Sequence, residues 1–135
     1  MIKETSSKKY YYALGRRKNA LATVKIYQGK EVSTINGKPF NQVILSALEQ
    51  KKVLQPLLIL DKIKTCYFSA KTKGGGVNGQ KLALRLALAR ALVKENKDNK
   101  SALKKNKLLT RDERMVERKH TCYLKARKAP QYSKR

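Results

Sequence analysis

Apolar and polar residues alternate along the first part of the chain, which is the pattern of strands in a half-buried sheet. The clearest stretch is 20–27, where Ala22, Val24 and Ile26 fall on one side and polar or aromatic residues on the other. Asn36-Gly37 indicates a hairpin with a short return at 38–40, because both residues tolerate positive φ. The sequence predicts strands over 10–14, 20–27, 32–35 and 63–70, with a charged turn at 15–19.

Helical patterns occupy the middle of the chain. Residues 41–49 predict a helix with Asn41 as its N-cap, and 51–60 predict a short helix, a break at Pro56 and a second short segment. Residues 78–95 are rich in leucine and alanine and poor in β-branched residues, which favours a long helix that packs on two sides. The lysine-rich connection 96–107 is predicted to be partly helical.

Charge is the strongest compositional signal. Lys and Arg number 33 against 9 for Asp and Glu, which gives a formal net charge of +24 over 135 residues. A single domain of this charge repels itself unless an anion neutralises it, and solubility needs only about 2–8 charges. The expected partners are nucleic acid or an anionic membrane. No apolar run reaches the roughly 20 residues of a membrane span, and we predict no membrane partner.

The residues offer little for catalysis or metal binding. The single histidine, His120, leaves a zinc site short of ligands, and no metal or other cofactor is predicted. Cys66 and Cys122 are far apart in sequence and are expected to be free thiols in a reducing compartment. The acids of 111–118 lie among arginines, which predicts a helix surface with i,i+4-type ion pairs and not a catalytic carboxylate pair. We therefore predict that the chain is not an enzyme.

The motif "GRRKN" at 15–19 places three adjacent cations in the predicted turn. In an ordinary protein such a turn is often only solvated. In a chain of this charge, phosphate contact is favoured, since Arg16 and Arg17 can bind phosphates bidentately while Lys18 acts as a point charge.

The motif "GGGVNG" at 74–79 satisfies the G-x-G-x-x-G pattern of dinucleotide sites, so a small nucleotide-dependent enzyme is the alternative function. However, a Leu/Ala helix stands where that fold needs a second buried strand, and no Ser or Thr follows Lys81 as a phosphate-binding P-loop requires. We favour a tight strand-to-helix turn at Gly74, Gly75 and Gly76 whose backbone N–H groups meet an RNA phosphate.

The last 18 residues contain seven cations, no acid and little apolar surface. Such a segment cannot bury enough apolar area to fold on itself. The sequence therefore predicts a globular domain at 1–117 and an extended basic tail at 118–135. Fully extended, this tail can reach roughly 60 Å, and Pro130 stiffens it.

Five blocks of the sequence resemble one known family in the family's order. They are "ALGRRKNALATVKI" (13–26), "TINGKPF" (34–40), "GGGVNGQKLALRLALARAL" (74–92), "LLTRDERMVERK" (108–119) and the ending "KARKAPQYSKR" (125–135). Together they resemble ribosomal small-subunit protein nine, of the bacterial and organellar type. One departure is Cys122, which stands where the family has glycine.

The resemblance implies an α+β fold with helices packed on one face of a four-stranded, mostly antiparallel sheet, followed by the long extended basic tail. It implies a structural role in the small ribosomal subunit. The chain would bind small-subunit rRNA in the head, beside neighbouring head proteins, and direct its tail toward the peptidyl-site tRNA. The tRNA-contacting residues would be Ser133, Lys134 and Arg135. A free basic protein that binds nucleic acid nonspecifically is a further alternative.

The expected rRNA contacts come from four parts of the sequence: the basic turn, the glycine block, the arginines after residue 110 and the tail. They are Arg16, Arg17, Lys18, Gly74, Gly75, Gly76, Gln80, Arg111, Arg114, Arg118, Lys119, Lys125, Arg127 and Lys128. Lysine outnumbers arginine, and with the "KARKAPQYSKR" ending this favours a plastid ribosome, in the chloroplast stroma, over one in the bacterial cytoplasm.

Overall fold

The computed structural model describes residues 9–134, which form one mixed sheet and a set of helices. The strands are β1 (Tyr10–Arg17), β2 (Ala20–Gln28), β3 (Thr34–Ile35), β4 (Lys38–Pro39) and β5 (Cys66–Lys73). The helices are α1 (Phe40–Val43), α2 (Ala47–Ile59), α3 (Val77–Glu95) and α4 (Asn99–Lys105). None of these helices has both the length and the apolar character needed to cross a bilayer.

The described sheet has five strands in the order β1-β2-β5-β3-β4. Every neighbouring pair is antiparallel except β3 with β5. The α+β class and the mostly antiparallel sheet are confirmed, whereas the predicted count of four strands is wrong. The additional strand is the return of the hairpin: Asn36 and Gly37 both have positive φ, at 50° and 79°, and this tight turn pairs Thr34 with Pro39.

The charged turn predicted at 15–19 is wrong for its first three residues. β1 continues through Arg17, which pairs with Ala20 of β2, so only Lys18 and Asn19 turn the chain. The cause is Gly15, whose backbone lies so close to α3 that an added Cβ would be 2.0 Å from the Ala83 carbonyl oxygen. This contact holds β1 flat against the helix beyond the predicted end.

Strand β5 begins three residues later than predicted. A backbone turn occupies the preceding residues, in which the N–H groups of Thr65 and Cys66 both donate to the Lys62 carbonyl. Both cysteines are free, as predicted, with Cys66 buried and Cys122 exposed. Burial raises the pKa of the Cys66 thiol above its ordinary value.

The helix predicted over 41–49 is wrong, because the chain forms α1 and α2 with a break at 44–46. Asn41 lies inside α1 and does not cap it, since the N-cap is Pro39. At the break Ile44 has an extended backbone and a buried side chain. Its carbonyl accepts a hydrogen bond of 2.6 Å from the Gln50 side chain. Burial of Ile44 and this hydrogen bond therefore stabilise the extended break where the sequence predicted a continuous helix.

The break predicted at Pro56 is also wrong, because α2 runs through it. Proline removes one helical hydrogen bond and strains the preceding turn. Here Pro56 is buried together with Val53 and Leu57, on the helix that packs against α3. Burial of this apolar face offsets the lost hydrogen bond and the strain. A prediction from the helix-breaking tendency of proline alone does not include this burial.

The core lies between α3 and one face of the sheet. Fully buried alanines on α3 let its backbone approach β1 and β2 closely. Helix α3 also packs against α2 and α4, so the predicted two-sided packing is confirmed. Its exposed edge binds the outer strand: Arg90 donates to the Leu14 carbonyl and Lys94 to the Tyr12 carbonyl, each at 2.9 Å. These bonds occupy acceptors that an edge strand otherwise leaves unpaired.

Candidate nucleic-acid interface

The two short motifs of the sequence meet at one end of the sheet. Gly74 and Gly75 adopt left-handed backbone conformations, with φ of 70° and 63°. A Cβ on Gly74 would lie 2.8 Å from the Asn19 carbonyl oxygen, and one on Gly75 would lie 2.7 Å from the Ala20 nitrogen. The glycine turn therefore packs directly on the turn between β1 and β2. Gly76 differs, because an added Cβ there would meet nothing within 4 Å.

The Gln80 side chain braces this turn from inside α3. Its amide nitrogen donates to the Gly74 carbonyl at 3.1 Å, and its oxygen accepts from the Thr72 hydroxyl at 3.3 Å. Asn36 on the β3–β4 hairpin donates to the same hydroxyl at 3.1 Å. Gln80 thus acts on the shape of the glycine turn, and its predicted RNA contact stays a prediction.

Helix α3 begins at this turn. Gly76 is its N-cap and provides no side-chain cap. The first N–H groups of an α-helix have no partner inside the helix, and together with the helix dipole they favour an anion. The start of α3 is thus an electropositive surface beside the basic turn.

Arg17 joins this end of the sheet to a segment 95 residues later. Its guanidinium binds the Asp112 carboxylate at 2.9 Å and donates to the Arg114 carbonyl, also at 2.9 Å. Only 15% of the Arg17 side chain is exposed. We call this arrangement the Arg17 clasp. It brings the arginine-rich segment to the two turns.

The helix predicted from the acids and arginines of 111–118 is wrong, since residues 110–119 form neither helix nor strand. Asp112 accepts hydrogen bonds from both the backbone and the side chain of Arg114. Such local side-chain bonds compete with helix formation, and the clasp occupies the Arg114 carbonyl as well. The acids of this segment do pair with arginines, but outside any helix: Arg111 pairs with Glu113, and Arg127 with Glu117.

The clasp should respond to acid. The hydrogen bonds from Arg114 hold the pKa of Asp112 at about 2, below its ordinary value, and the charge of Arg17 adds to this effect. A carboxylate with a depressed pKa contributes fully above the unfolded-state value near 4 and loses its contribution as pH falls toward 2.

We therefore expect the Arg17 clasp to persist at pH 4 and to open with a midpoint near pH 2, where the folded chain protonates Asp112. The measurement is the NMR shift of the Asp112 carboxyl carbon together with the side-chain signal of Arg17. In Asp112→Asn the Arg17 side chain should show the signal of the open clasp already at pH 6. An Arg17 signal that stays unchanged from pH 6 to pH 2 in the wild-type chain would contradict the clasp.

Residues 118–134 contain no helix or strand. The Arg127–Glu117 pair, at 2.9 Å, closes a bent loop. From this loop the Leu124 N–H donates to the carbonyl of Lys128, the residue that follows it, at 2.8 Å. Cys122 has φ of 66° there, so it keeps a conformation that suits the glycine it replaces.

The remaining predicted tail residues expose their side chains where the structure describes them. They are Arg118, Lys119, Lys125, Lys128, Ser133 and Lys134. Arg135 lies outside the described residues. The boundary between residues 117 and 118, and the extended form of the tail, stay predictions.

Arg16 and Lys18 are both exposed, but they face different surroundings. Lys18 lies in the turn with φ of 51°. Arg16 lies on β1, on the sheet face away from α3, and the same face carries residues that sequence reasoning missed. These are Tyr10, Tyr12, Lys25, Lys71 and Lys73. The signal for them was the same two-residue alternation that predicted the strands, followed on its polar side.

The nucleotide-site alternative does not agree with this geometry. A dinucleotide fold needs its glycine loop between two parallel strands of one βαβ unit. Here α3 is followed by α4 and then by irregular chain, with no further strand up to residue 134. Gly74 and Gly75 are also packed against Asn19 and Ala20, which occupies the space a pyrophosphate would need.

Comparison with known proteins agrees with the sequence blocks. A family described as ribosomal protein S9/S16 matches residues 15–135. A small ribosomal subunit protein uS9 of Dehalococcoides mccartyi (strain CBDB1) is 44% identical over 93% of this chain and 96% of its own. A small ribosomal subunit protein uS9c of Gracilaria tenuistipitata var. liui is 46% identical over 96% of both chains. The chain therefore belongs to the ribosomal protein S9/S16 family.

Proposed function

We propose that the chain binds small-subunit rRNA in the head of the ribosomal subunit and directs its C-terminal residues toward the peptidyl-site tRNA. Family membership carries the coarser part of this function: a structural, non-enzymatic constituent of the small ribosomal subunit in translation. The finer part concerns which surfaces meet RNA, and it rests on charge and geometry.

The observation that carries the proposal is the convergence of two basic motifs and the glycine turn at one end of the sheet. The glycine turn packs on the β1–β2 turn, and the Arg17 clasp brings the segment after residue 110 to the same place. Phosphate contacts dominate the affinity of such interfaces and position the protein without reading sequence. The start of α3 adds backbone N–H donors for a phosphate.

In this proposal the residues that meet phosphate directly are exposed cations without a protein partner for their charge, chiefly Arg16, Lys18 and Arg118. The exposed Arg114 guanidinium is bound by Asp112 and would meet phosphate only on leaving that carboxylate. Arg17 and Gln80 act by positioning, because their polar groups already hold protein partners. Neighbouring head proteins complete the surroundings. The lysine excess supports a plastid ribosome, while the relatives from bacterial and plastid ribosomes are similarly close, at 44% and 46% identity.

The experiment is a salt wash of assembled ribosomes that contain the tagged chain. We expect the chain to sediment with the small subunit in equal stoichiometry and to remain there through a wash that removes loosely bound basic proteins. Release at moderate salt, or equal partition between both subunits, would favour a free basic protein and overturn the proposal.

The tail makes the second contact of the proposal. Ser133 and Lys134 are exposed in the described chain, and residues 118–134 add cations with no regular structure of their own. A chain of this kind orders on binding RNA. The bent loop closed by Arg127 and Glu117 would open as rRNA phosphates compete for the arginine.

We expect removal of residues 133–135 to spare assembly and to weaken tRNA in the peptidyl site by roughly fivefold, or about 1 kcal/mol. A charge-assisted hydrogen bond contributes about 1.5–3 kcal/mol, and water, salt and the terminal carboxylate of Arg135 reduce this. The measurement is the tRNA dissociation rate from small subunits that carry the intact or truncated chain at matched salt.

The matched control replaces the last three residues by Ser-Gln-Gln, which keeps chain length and removes the two cations. It should behave like the truncation, with tRNAs of different anticodons, since backbone contacts carry no base information. Identical dissociation rates for the intact, truncated and neutral chains would remove the tail end from the tRNA contact.

A further inference from the structure

Within residues 9–134, no helix packs on the sheet face opposite α3, and this face carries an ordered set of side chains. Residues that alternate with the core positions bring the side chains of β1, β2, β3 and β5 onto this face in cross-strand rows. One row is Tyr10, Tyr27 and Tyr67, and the next is Tyr12, Lys25, Ser69 and Thr34. The remaining rows are Leu14, Thr23 and Lys71, followed by Arg16, Leu21 and Lys73. We call this surface the open face.

The aromatic end of the open face is built as a platform. The rings of Tyr27 and Tyr67 are stacked, with centroids 5.1 Å apart and planes 12° apart. The Tyr10 ring is tilted against that of Tyr27, with centroids 5.8 Å apart, and the Lys25 ammonium lies 4.6 Å from the centre of the Tyr10 ring. Among the described residues Tyr12 makes no ring contact with another aromatic side chain. Tyr10 and Tyr12 remain 47% and 44% exposed.

The rows of the open face carry cations and no acid, whereas its aromatic end borders one carboxylate. The four cations, all exposed, are Arg16, Lys25, Lys71 and Lys73. Glu31 lies at the aromatic end, beside Tyr10, Tyr27 and Tyr67. The row that contains Arg16 and Lys73 adjoins the glycine turn. The basic end of the open face is therefore continuous with the surface proposed to bind rRNA, on which this inference rests.

We propose that the open face binds an unpaired segment of rRNA, with bases stacked on Tyr12 and Tyr10 and phosphates along its four cations. Exposed aromatic rings on a sheet recognise bases that are free to stack, and such stacking tolerates any base. Double-stranded RNA does not present base faces and is recognised by shape and backbone. A protein partner fits less well, because aliphatic side chains occupy only two positions in these rows and the cations would need an acidic partner.

The test measures affinity of the full chain for single-stranded and duplex RNA of equal length, with three variants at one position. Tyr12→Ala and Tyr12→Leu remove the ring, and Tyr12→Leu keeps the bulk of the side chain on the sheet. Tyr12→Phe keeps the ring and serves as the matched control. On single-stranded RNA we expect the first two to bind about five- to tenfold more weakly and Tyr12→Phe to bind within about twofold of wild type.

The dependence on salt separates stacking from charge. The slope of log affinity against log salt should not change in the Tyr12 variants, whereas Lys71→Gln should lower it by about 0.7–0.9. On duplex RNA the Tyr12 variants should match wild type. With bromouridine-substituted single-stranded RNA, ultraviolet light should cross-link the wild-type chain at Tyr10 or Tyr12.

Several outcomes would overturn the inference: wild-type affinity in Tyr12→Leu, an equal loss in Tyr12→Phe, an equal loss on duplex RNA, or a cross-link confined to other residues. These outcomes are distinct from failure of the proposed function. If the chain stays with the small subunit through the salt wash while Tyr12→Leu binds RNA normally, the proposed function stands and only the inference about the open face fails.

Discussion

Gly15→Ala should unfold the protein at a markedly lower temperature and lower its free energy of unfolding by about 3 kcal/mol or more. The new Cβ would lie 2.0 Å from the Ala83 carbonyl oxygen and 2.6 Å from the Ala87 nitrogen. Both are backbone atoms of α3, so no side chain can move aside to relieve the overlap. β1 and α3 must separate, and that disturbs the largest packing contact of the fold.

Thermal unfolding followed by circular dichroism measures this effect. A loss of 3 kcal/mol corresponds to a fall in Tm on the order of 10 °C for a chain of this length. Gly76→Ala is the matched control, since an added Cβ there meets no atom within 4 Å and the residue has φ of −96°. We expect the control to change the unfolding free energy by less than about 1 kcal/mol. Equal Tm values for the two variants would show that β1 and α3 are not in this close contact.

Removal of the two exposed cations at the β1–β2 turn should produce the largest change in RNA binding. We expect Arg16→Gln with Lys18→Asn to lower the slope of log affinity against log salt by roughly 1.4–1.8, at about 0.7–0.9 per phosphate contact. At 0.1 M salt this corresponds to roughly 25- to 60-fold weaker binding. Asparagine is chosen for position 18 because it tolerates the positive φ found there, so the turn itself should persist.

Arg17→Gln is the comparison that separates phosphate contact from positioning. Asp112 already offsets the charge of Arg17, so the slope should change by less than the roughly 0.7 of one full contact. Instead the clasp should open, and trypsin should cut faster after Arg111 and Arg114 in the free chain. Binding to a defined small-subunit rRNA fragment across a salt series measures the slopes. An unchanged slope in the double variant would show that Arg16 and Lys18 are solvated and make no phosphate contact.

The sequence predicts the local features of the fold better than those that depend on long-range contacts. Alternation in 20–27 and the Asn36-Gly37 pair identified β2 and the β3–β4 hairpin, because strand period and positive φ are properties of neighbouring residues. The same local logic misplaced the end of β1 and the course of α2. Gly15 extends β1 through its contact with α3, and the burial of Pro56 keeps α2 continuous. Both causes are packing partners that lie far away in sequence.

The candidate interface divides in the same way. The excess of 24 positive charges and the five family blocks determined by themselves that the chain is a structural ribosomal protein, since composition and motif order need no coordinates. Only the tertiary structure decided which cations are free to meet phosphate. Arg17 and Arg16 are adjacent in sequence, but alternate strand residues point to opposite faces. Arg17 therefore meets Asp112 on the side of α3, while Arg16 lies exposed on the open face.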